Sequence, residues 1–143
     1  FGRKLILRFV GPVDQVVLTS IERAGLAGHV ERVGSVGHAQ AMREMQRARV
    51  LLLSVNDTAN AKGVLTSKVF EYLAVGRPIL AFGPKDGDVA KVLGPPHMLV
   101  ERSRQELSRS AIREVFDRSS GPPASREHSR PAGARAIARI LAG

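Results

Sequence analysis

Lys68 and Glu71 form the pair of side chains in this sequence with the clearest potential for ligand binding. They stand three residues apart near the start of a predicted short helix, which opens with the good N-cap residues Thr66 and Ser67. The free amide groups and dipole of a helix N-terminus can hold an anion. A carboxylate accepts two hydrogen bonds at once, so Glu71 could bind the vicinal hydroxyls of a ribose while Lys68 neutralises a phosphate.

The same residues have a structural interpretation, which the residues alone favour for Glu71. Lys68 and Glu71 could form an exposed i,i+3 ion pair, and Glu71 could favour the helix dipole. Thr66 and Ser67 could serve only as caps. Other residues have the same two kinds of interpretation. Their functional roles would be phosphate contact, a catalytic carboxylate, a metal ligand or a base. Structural roles at the surface, in a turn or at a helix start are favoured over these. These residues are Lys62, Lys85, Asp57, Asp86, Asp88 and His38.

The predicted secondary structure around this pair alternates between strand and helix. Periodicity and turn residues predict strands over 5–10, 29–33, 50–55, 79–82 and 98–100, and helices over 13–24, 39–48, between Ser67 and Gly76, and over 88–93, 103–116 and 131–141. Gly76 suits a left-handed helix end, and Pro78 prevents continuation. The most apolar run, Val50 to Val55, indicates a central strand.

The predicted helices also have predicted faces. In the first helix, Pro12 suits the start, Gly25 suits the end, and the inner face comprises Val13, Val16, Val17 and Ile21. In the second helix Met42 and Met45 face inward, and the outward residues are Arg43, Glu44 and Arg47.

This alternation predicts an α/β fold with a doubly wound, Rossmann-like parallel sheet. Ligands of such sheets lie beyond the carboxyl ends of the strands. The turns at 11–12, 34–37, 56–67 and 83–87 would gather there. We expect one Rossmann-like domain over 1–118, followed by a linker and a C-terminal helix over 119–143.

Composition excludes several classes of function. The net charge of +9 raises the expectation of a polyanionic partner or an anionic membrane surface. The basic residues are spread along the chain without a row of aromatic side chains, so we expect no nucleic-acid binding, whereas peripheral membrane contact stays open.

The chain has no Cys, and its His residues lack ligand spacing, so we expect no metal site; they are His29, His38, His97 and His128. Without a signal peptide or membrane-spanning run, we expect a cytoplasmic protein.

Three stretches in order resemble a known family. They are Gly34-Ser-Val-Gly-His-Ala-Gln-Ala-Met, Ala48-Arg-Val-Leu-Leu-Leu and Lys68-Val-Phe-Glu-Tyr-Leu-Ala-Val-Gly-Arg-Pro-Ile-Leu. Together they resemble the C-terminal, donor-binding half of a retaining glycosyltransferase of the GT-B fold (the group 1 type). The resemblance covers about Lys4 to Val100 and is sharpest from Lys68 to Leu80.

The resemblance implies a donor site for a nucleotide-diphosphate sugar. It implies that Glu71 binds the ribose, that Lys68 and the residues Leu65, Thr66 and Ser67 lie near the diphosphate, and that the turn formed by Gly34, Ser35 and Val36 lies near the base. The nucleotide-sugar is a substrate, and neither a cofactor nor a metal is implied. Cationic side chains and the helix N-terminus stabilise the diphosphate instead. No catalytic residue can be named from this segment.

Two features depart from the family pattern. Many members carry a first Glu eight residues before the second, where this chain has Gly63. The family's opening strand and helix, with an Arg and a Lys for the diphosphate, have no counterpart here, and the chain begins at Phe1. We therefore expect a fragment that is inactive alone, whose partners are an N-terminal acceptor-binding domain of the parent chain and, to complete the sheet, another copy. A nucleotide-sugar epimerase-like domain and a non-catalytic nucleotide-binding or regulatory module remain alternatives.

Overall fold

The structure, a computed structural model, describes residues 5–55, 67–101 and 105–119. The chain divides into two compact units, Phe1–Glu44 and Met45–Gly143. The predicted loop at 56–63 and the predicted helix at 131–141 lie outside the described residues. The strands are β1 (Leu7–Val10), β2 (Val30–Gly34), β3 (Leu51–Ser54), β4 (Ile79–Phe82) and β5 (Met98–Val100). The helices are α1 (Gln15–Arg23), α2 (His38–Arg47), α3 (Ser67–Val75), α4 (Asp88–Val92) and α5 (Gln105–Arg118), with a 3₁₀ turn at Ala27–His29.

The first unit is built on the parallel pair β1 and β2, with Leu7 opposite Val30. α1 lies between these two strands in the chain. The carboxylate of Asp14, rather than Pro12, marks its start by accepting a hydrogen bond of 2.8 Å from the amide of Val16. Gly25 follows the helix with a φ of +70°, the left-handed conformation expected at a helix end.

The predicted inner face of α1 is wrong in part. Val16 is 73% exposed and Val17 is 41% exposed, and no residue of the helix is buried. A sheet of two strands offers a narrow surface, and it cannot cover the whole apolar stripe of a nine-residue helix.

The predicted outward position of Glu44 on α2 is also wrong. Its side chain is only 8% exposed, and its Oε2 lies 3.1 Å from Nε of Arg8 on β1. This contact is an ion pair whose alignment falls short of a hydrogen bond. Arg8 also donates a hydrogen bond of 3.0 Å to Glu31 on β2, so one guanidinium joins α2 to both strands. Burying a carboxylate is tolerable here because a cation accompanies it.

The second unit is a parallel three-stranded sheet in the order β3-β4-β5, with Leu51 opposite Ile79 and Leu80 opposite Met98. Helices cover both faces. On one face Val69 of α3 and Val89 of α4 pack with Leu51, Leu53, Ile79 and Ala81. On the other, Ala111 and Val115 of α5 pack with Leu80 and Val100. Parallel strands with helices on both faces confirm the predicted α/β, Rossmann-like class.

The predicted central position of β3 is wrong within the described part of the chain. β3 pairs only with β4 there, and β4 is the middle strand of its sheet. β5 is the outer strand on the other side of β4. The strands of the described ranges therefore form two parallel sheets, one of two and one of three strands.

Candidate functional site at the start of helix α3

Packing and turn geometry position α3. Val69 is fully buried, and Tyr72 and Leu73 pack against the same apolar cluster. The helix ends at Gly76, whose φ is +73°, and Pro78 accepts a hydrogen bond of 2.9 Å from the amide of Leu51 at the start of β3. The end of α3 thus lies at the amino ends of β3 and β4. Since a helix of this length spans about the length of the strands, its start lies near their carboxyl ends.

Lys68 and Glu71 come together at this start. Lys68 Nζ lies 3.6 Å from Glu71 Oε2, and the two side chains are 55% and 38% exposed. Such an exposed pair contributes little to stability, about 0–1 kcal/mol. Either side chain can therefore leave this ion pair and bind a ligand with little loss of stability. The structure forms the i,i+3 pair of the structural interpretation and leaves both groups within reach of solvent.

Tyr72 adds an aromatic ring to the pair. The Lys68 ammonium lies 5.9 Å from the centroid of the Tyr72 ring. Partial burial, and secondly the negative charge of Glu71, raise the pKa of the Tyr72 hydroxyl above its usual value. The phenol therefore stays protonated at neutral pH and can donate a hydrogen bond. No feature of the sequence singled out Tyr72 except its position directly after Glu71.

Only part of the predicted phosphate-binding stretch is described. Ser67 is the first residue of α3 and is exposed. Thr66 and Leu65 lie outside the described residues, as do Asp57 and Lys62. The predicted roles of these residues remain predictions.

Gly83 shapes the carboxyl ends of β3 and β4. A Cβ added at Gly83 would lie 2.9 Å from Cβ of Val55, the residue after β3. The amide of Gly83 donates to the carbonyl of Val100 at 3.1 Å, and the amide of Val55 donates to Phe82 at 2.9 Å. Close approach of two backbones requires a residue without a side chain. The sequence signal for this was a glycine directly after a buried strand.

The loop after β4 contributes a second cation near this edge. Lys85 is 54% exposed, and its ammonium lies 3.6 Å from the carboxylate of Glu101, directly after β5. The ends of β4 and β5 are thereby linked. This ion pair satisfies Lys85 within the protein and favours the predicted surface role.

The turn predicted to lie near a base belongs to the first unit. Gly34 ends β2 with a φ of +75°, and its carbonyl accepts a hydrogen bond of 2.7 Å from the amide of Gly11. Ser35 is exposed, and Val36 is half-buried. Two glycines thus close the carboxyl ends of β1 and β2, and the predicted role of this turn near a base remains a prediction.

The remaining candidates take structural positions. His38 is the first residue of α2, and Asp88 begins α4 and contacts Lys91 at 2.8 Å. His97 Nδ1 accepts a hydrogen bond of 3.2 Å from the amide of Ile79, at the amino end of β4 and so away from the carboxyl edge. Among residues 5–55, 67–101 and 105–119, no cluster of three or more potential metal ligands occurs. Within the same ranges, no helix has the length and hydropathy needed to cross a membrane.

The chain matches no protein-family model and no curated protein by sequence. It is similar in structure to AviGT4, a glycosyltransferase involved in avilamycin A biosynthesis, with 21% identity and a TM-score of 0.62. The match covers 96% of this chain and 42% of that chain, so this chain spans less than half of its structural neighbour. At this level of identity the likeness shows the fold alone, which is a glycosyltransferase-like α/β fold.

Proposed function

We propose that this chain is the donor-binding part of a glycosyltransferase and binds a nucleotide-diphosphate sugar for transfer to an acceptor. The observation that carries the proposal is the exposed pair of Lys68 and Glu71 at the start of α3. The likeness in fold to a glycosyltransferase and the resemblance of the stretch from Lys68 to Leu80 support it.

The chemistry of the pair suits such a ligand. Glu71 would accept hydrogen bonds from both ribose hydroxyls, and Lys68 would neutralise the diphosphate together with the amides at the start of α3. When the bond to the sugar breaks, negative charge grows on the diphosphate, so the same cation and amides would stabilise the leaving group. The residues of the chemical step and the acceptor site would belong to the rest of a longer protein.

Ligand titration tests the proposal. Tyr72 is the one tyrosine of a chain without tryptophan, so tyrosine fluorescence reports from beside Glu71. We expect uridine or guanosine diphosphate to change this fluorescence and raise the melting temperature. Glu71→Gln should weaken binding about tenfold or more, because hydrogen bonds to a charged group contribute about 1.5–3 kcal/mol.

Glu114→Gln is the matched control. Glu114 also forms an exposed intrahelical pair, with Arg118, but lies on α5. The Glu114→Gln substitution should leave nucleotide affinity unchanged. Equal effects of the two substitutions, or no response to either diphosphate by the chain and by a longer protein containing it, would refute the donor site.

A second candidate, a non-catalytic nucleotide-binding module, is favoured by Gly63, where many related enzymes carry an acidic residue. The two functions differ in turnover. A longer protein that binds the nucleotide-sugar through Glu71 yet neither transfers nor hydrolyses the sugar would support the module.

A further inference from the structure

Tyr72 is the fixed member of three neighbouring side chains on α3. It is half-buried and packs against the apolar cluster that contains Val69 and Ile79. Lys68 and Glu71, in contrast, are 55% and 38% exposed, and an exposed ion pair of this kind holds its members only weakly. A long lysine side chain in such a position has many rotamers, so fixing it on a ligand costs conformational entropy.

Helix geometry directs the ring of Tyr72 toward Lys68. Residues four apart lie on the same face of a helix, and helical side chains lean toward the N-terminus, so the side chain of Tyr72 covers the turn that carries Lys68. The Lys68 ammonium lies 5.9 Å from the centroid of the ring, within the range of a cation–π contact. The aromatic ring is therefore a second partner of the ammonium, besides the carboxylate of Glu71.

These two partners of Lys68 differ in what happens to them when a nucleotide binds. In the proposed function Glu71 turns to the ribose hydroxyls, so its ion pair with Lys68 is given up in the bound state. The ring of Tyr72 has no such role, and its packing against the apolar cluster keeps it in place. Of the two contacts, the one with Tyr72 is therefore the contact that can persist while Lys68 holds a phosphate.

We propose that Tyr72 positions Lys68 for the phosphate of the nucleotide, a role that rests on the proposed function. The ring holds the ammonium near the start of α3, so that the cation is in place before the diphosphate arrives. A cation positioned in advance loses less freedom on binding, and the ligand binds more tightly. The role belongs to the face of the ring rather than to the hydroxyl, and an exposed contact of this kind corresponds to about a two- to fivefold change in affinity.

Calorimetric titration of ring variants tests the positioning role, in this chain and in a longer protein containing it. The measured quantity is the ratio of the affinity for a nucleoside diphosphate to the affinity for the free nucleoside, with uridine and guanosine as the bases. Tyr72→Leu should lower this ratio about two- to fivefold, whereas Tyr72→Phe keeps the ring and should keep the native ratio. Leu73→Ala is the matched control, because Leu73 packs against the same apolar cluster but lies on another face of the helix from Lys68, and it should leave the ratio unchanged.

A double-mutant cycle separates this role from general packing of the helix. In a Lys68→Gln background, Tyr72→Leu should lower the ratio no further, because the ring then has no ammonium to hold. An equal loss with and without the Lys68 ammonium would overturn the proposal. A loss in Tyr72→Phe as large as that in Tyr72→Leu would overturn it as well.

Proton NMR gives a second readout that needs no ligand. The ring should shift the ε-methylene protons of Lys68 upfield in the native chain and in Tyr72→Phe, relative to those of Lys91, which pairs with Asp88. Tyr72→Leu should remove the shift. Lys68 protons without a shift in the native chain would overturn the proposal, whether or not a nucleotide binds. Shifted Lys68 protons in a protein that binds neither diphosphate would instead refute the donor site, and the positioning role with it.

Discussion

Gly83 and Val55 bring the ends of two neighbouring strands so close that a Cβ on Gly83 would lie 2.9 Å from Cβ of Val55. Both residues are buried, and Val55 is hydrogen-bonded to Phe82. The Cβ of Val55 is bonded directly to the backbone, so no side-chain rotation can move it away from the added carbon. The backbones of β3 and β4 would have to separate at the edge where ligands of this fold class bind.

Gly83→Ala should therefore destabilise the protein by about 1–3 kcal/mol, the usual cost of overpacking an interior. Chemical denaturation measures the change. Gly28→Ala is the control, because a Cβ there meets nothing within 4 Å, and it should change stability far less. Equal effects of the two substitutions would show that the close approach is not a constraint.

Arg77, in the turn after α3, is hydrogen-bonded to the end of α2. Its Nε and Nη2 both donate to the carbonyl of Gln46, at 2.9 and 2.7 Å. Arg77→Ala should lower the free energy of unfolding by about 1–2 kcal/mol, since the bonds are charge-assisted but exposed. Arg23→Ala, in the last turn of α1, should stay within about 0.5 kcal/mol. Similar losses from both would contradict the capping role.

Arg8 has two carboxylate partners that differ in burial, Glu44 at 8% and Glu31 at 47% exposure. Double-mutant cycles with Arg8→Met can separate them. We expect a coupling energy of about 1–3 kcal/mol with Glu44→Met and below about 1 kcal/mol with Glu31→Met, because water screens the exposed pair. A larger coupling with Glu31 would contradict the importance of burial.

Tyr72 should make the protein sensitive to alkaline pH. Its pKa is raised above 10.0 in the folded state by burial and by Glu71. Above about pH 10 the Tyr72 hydroxyl loses its proton in the unfolded state before it does so in the folded state. The contribution of Tyr72 to the free energy of unfolding is therefore fully present below that pH and falls as pH rises. Denaturation curves should show this loss in the native chain and a smaller one in Tyr72→Phe. Because the chain has a single tyrosine, its ultraviolet absorbance titrates that group alone.

Lys68→Gln tests the phosphate role within the proposed function. It should weaken binding of a nucleoside diphosphate more than binding of the free nucleoside, and the difference should shrink in high salt. Lys91→Gln is the matched control, since Lys91 is also exposed and also forms an i,i+3 pair, with Asp88. It should leave both affinities unchanged. Equal losses for nucleoside and diphosphate would contradict a contact between Lys68 and phosphate.

Local patterns in the sequence predicted much of the fold. The bounds of β4 and β5 were predicted to the residue, and Gly76 has the predicted left-handed conformation. The contact of Lys68 with Glu71 also followed from spacing, because residues three apart on a helix are neighbours. Each of these features depends on residues close together in the chain.

Tertiary structure decided the features that join distant residues. Glu44 is buried because Arg8 on another element meets it, and Arg77 caps a helix 31 residues away. The outer position of β3 among the described strands and the contact of Gly83 with Val55 depend on which strands pair. The α/β class and the pair at the start of α3 could be predicted from sequence patterns, since helical and strand periods are local. Burial and strand neighbours were decided by the fold, because they depend on which elements pack together.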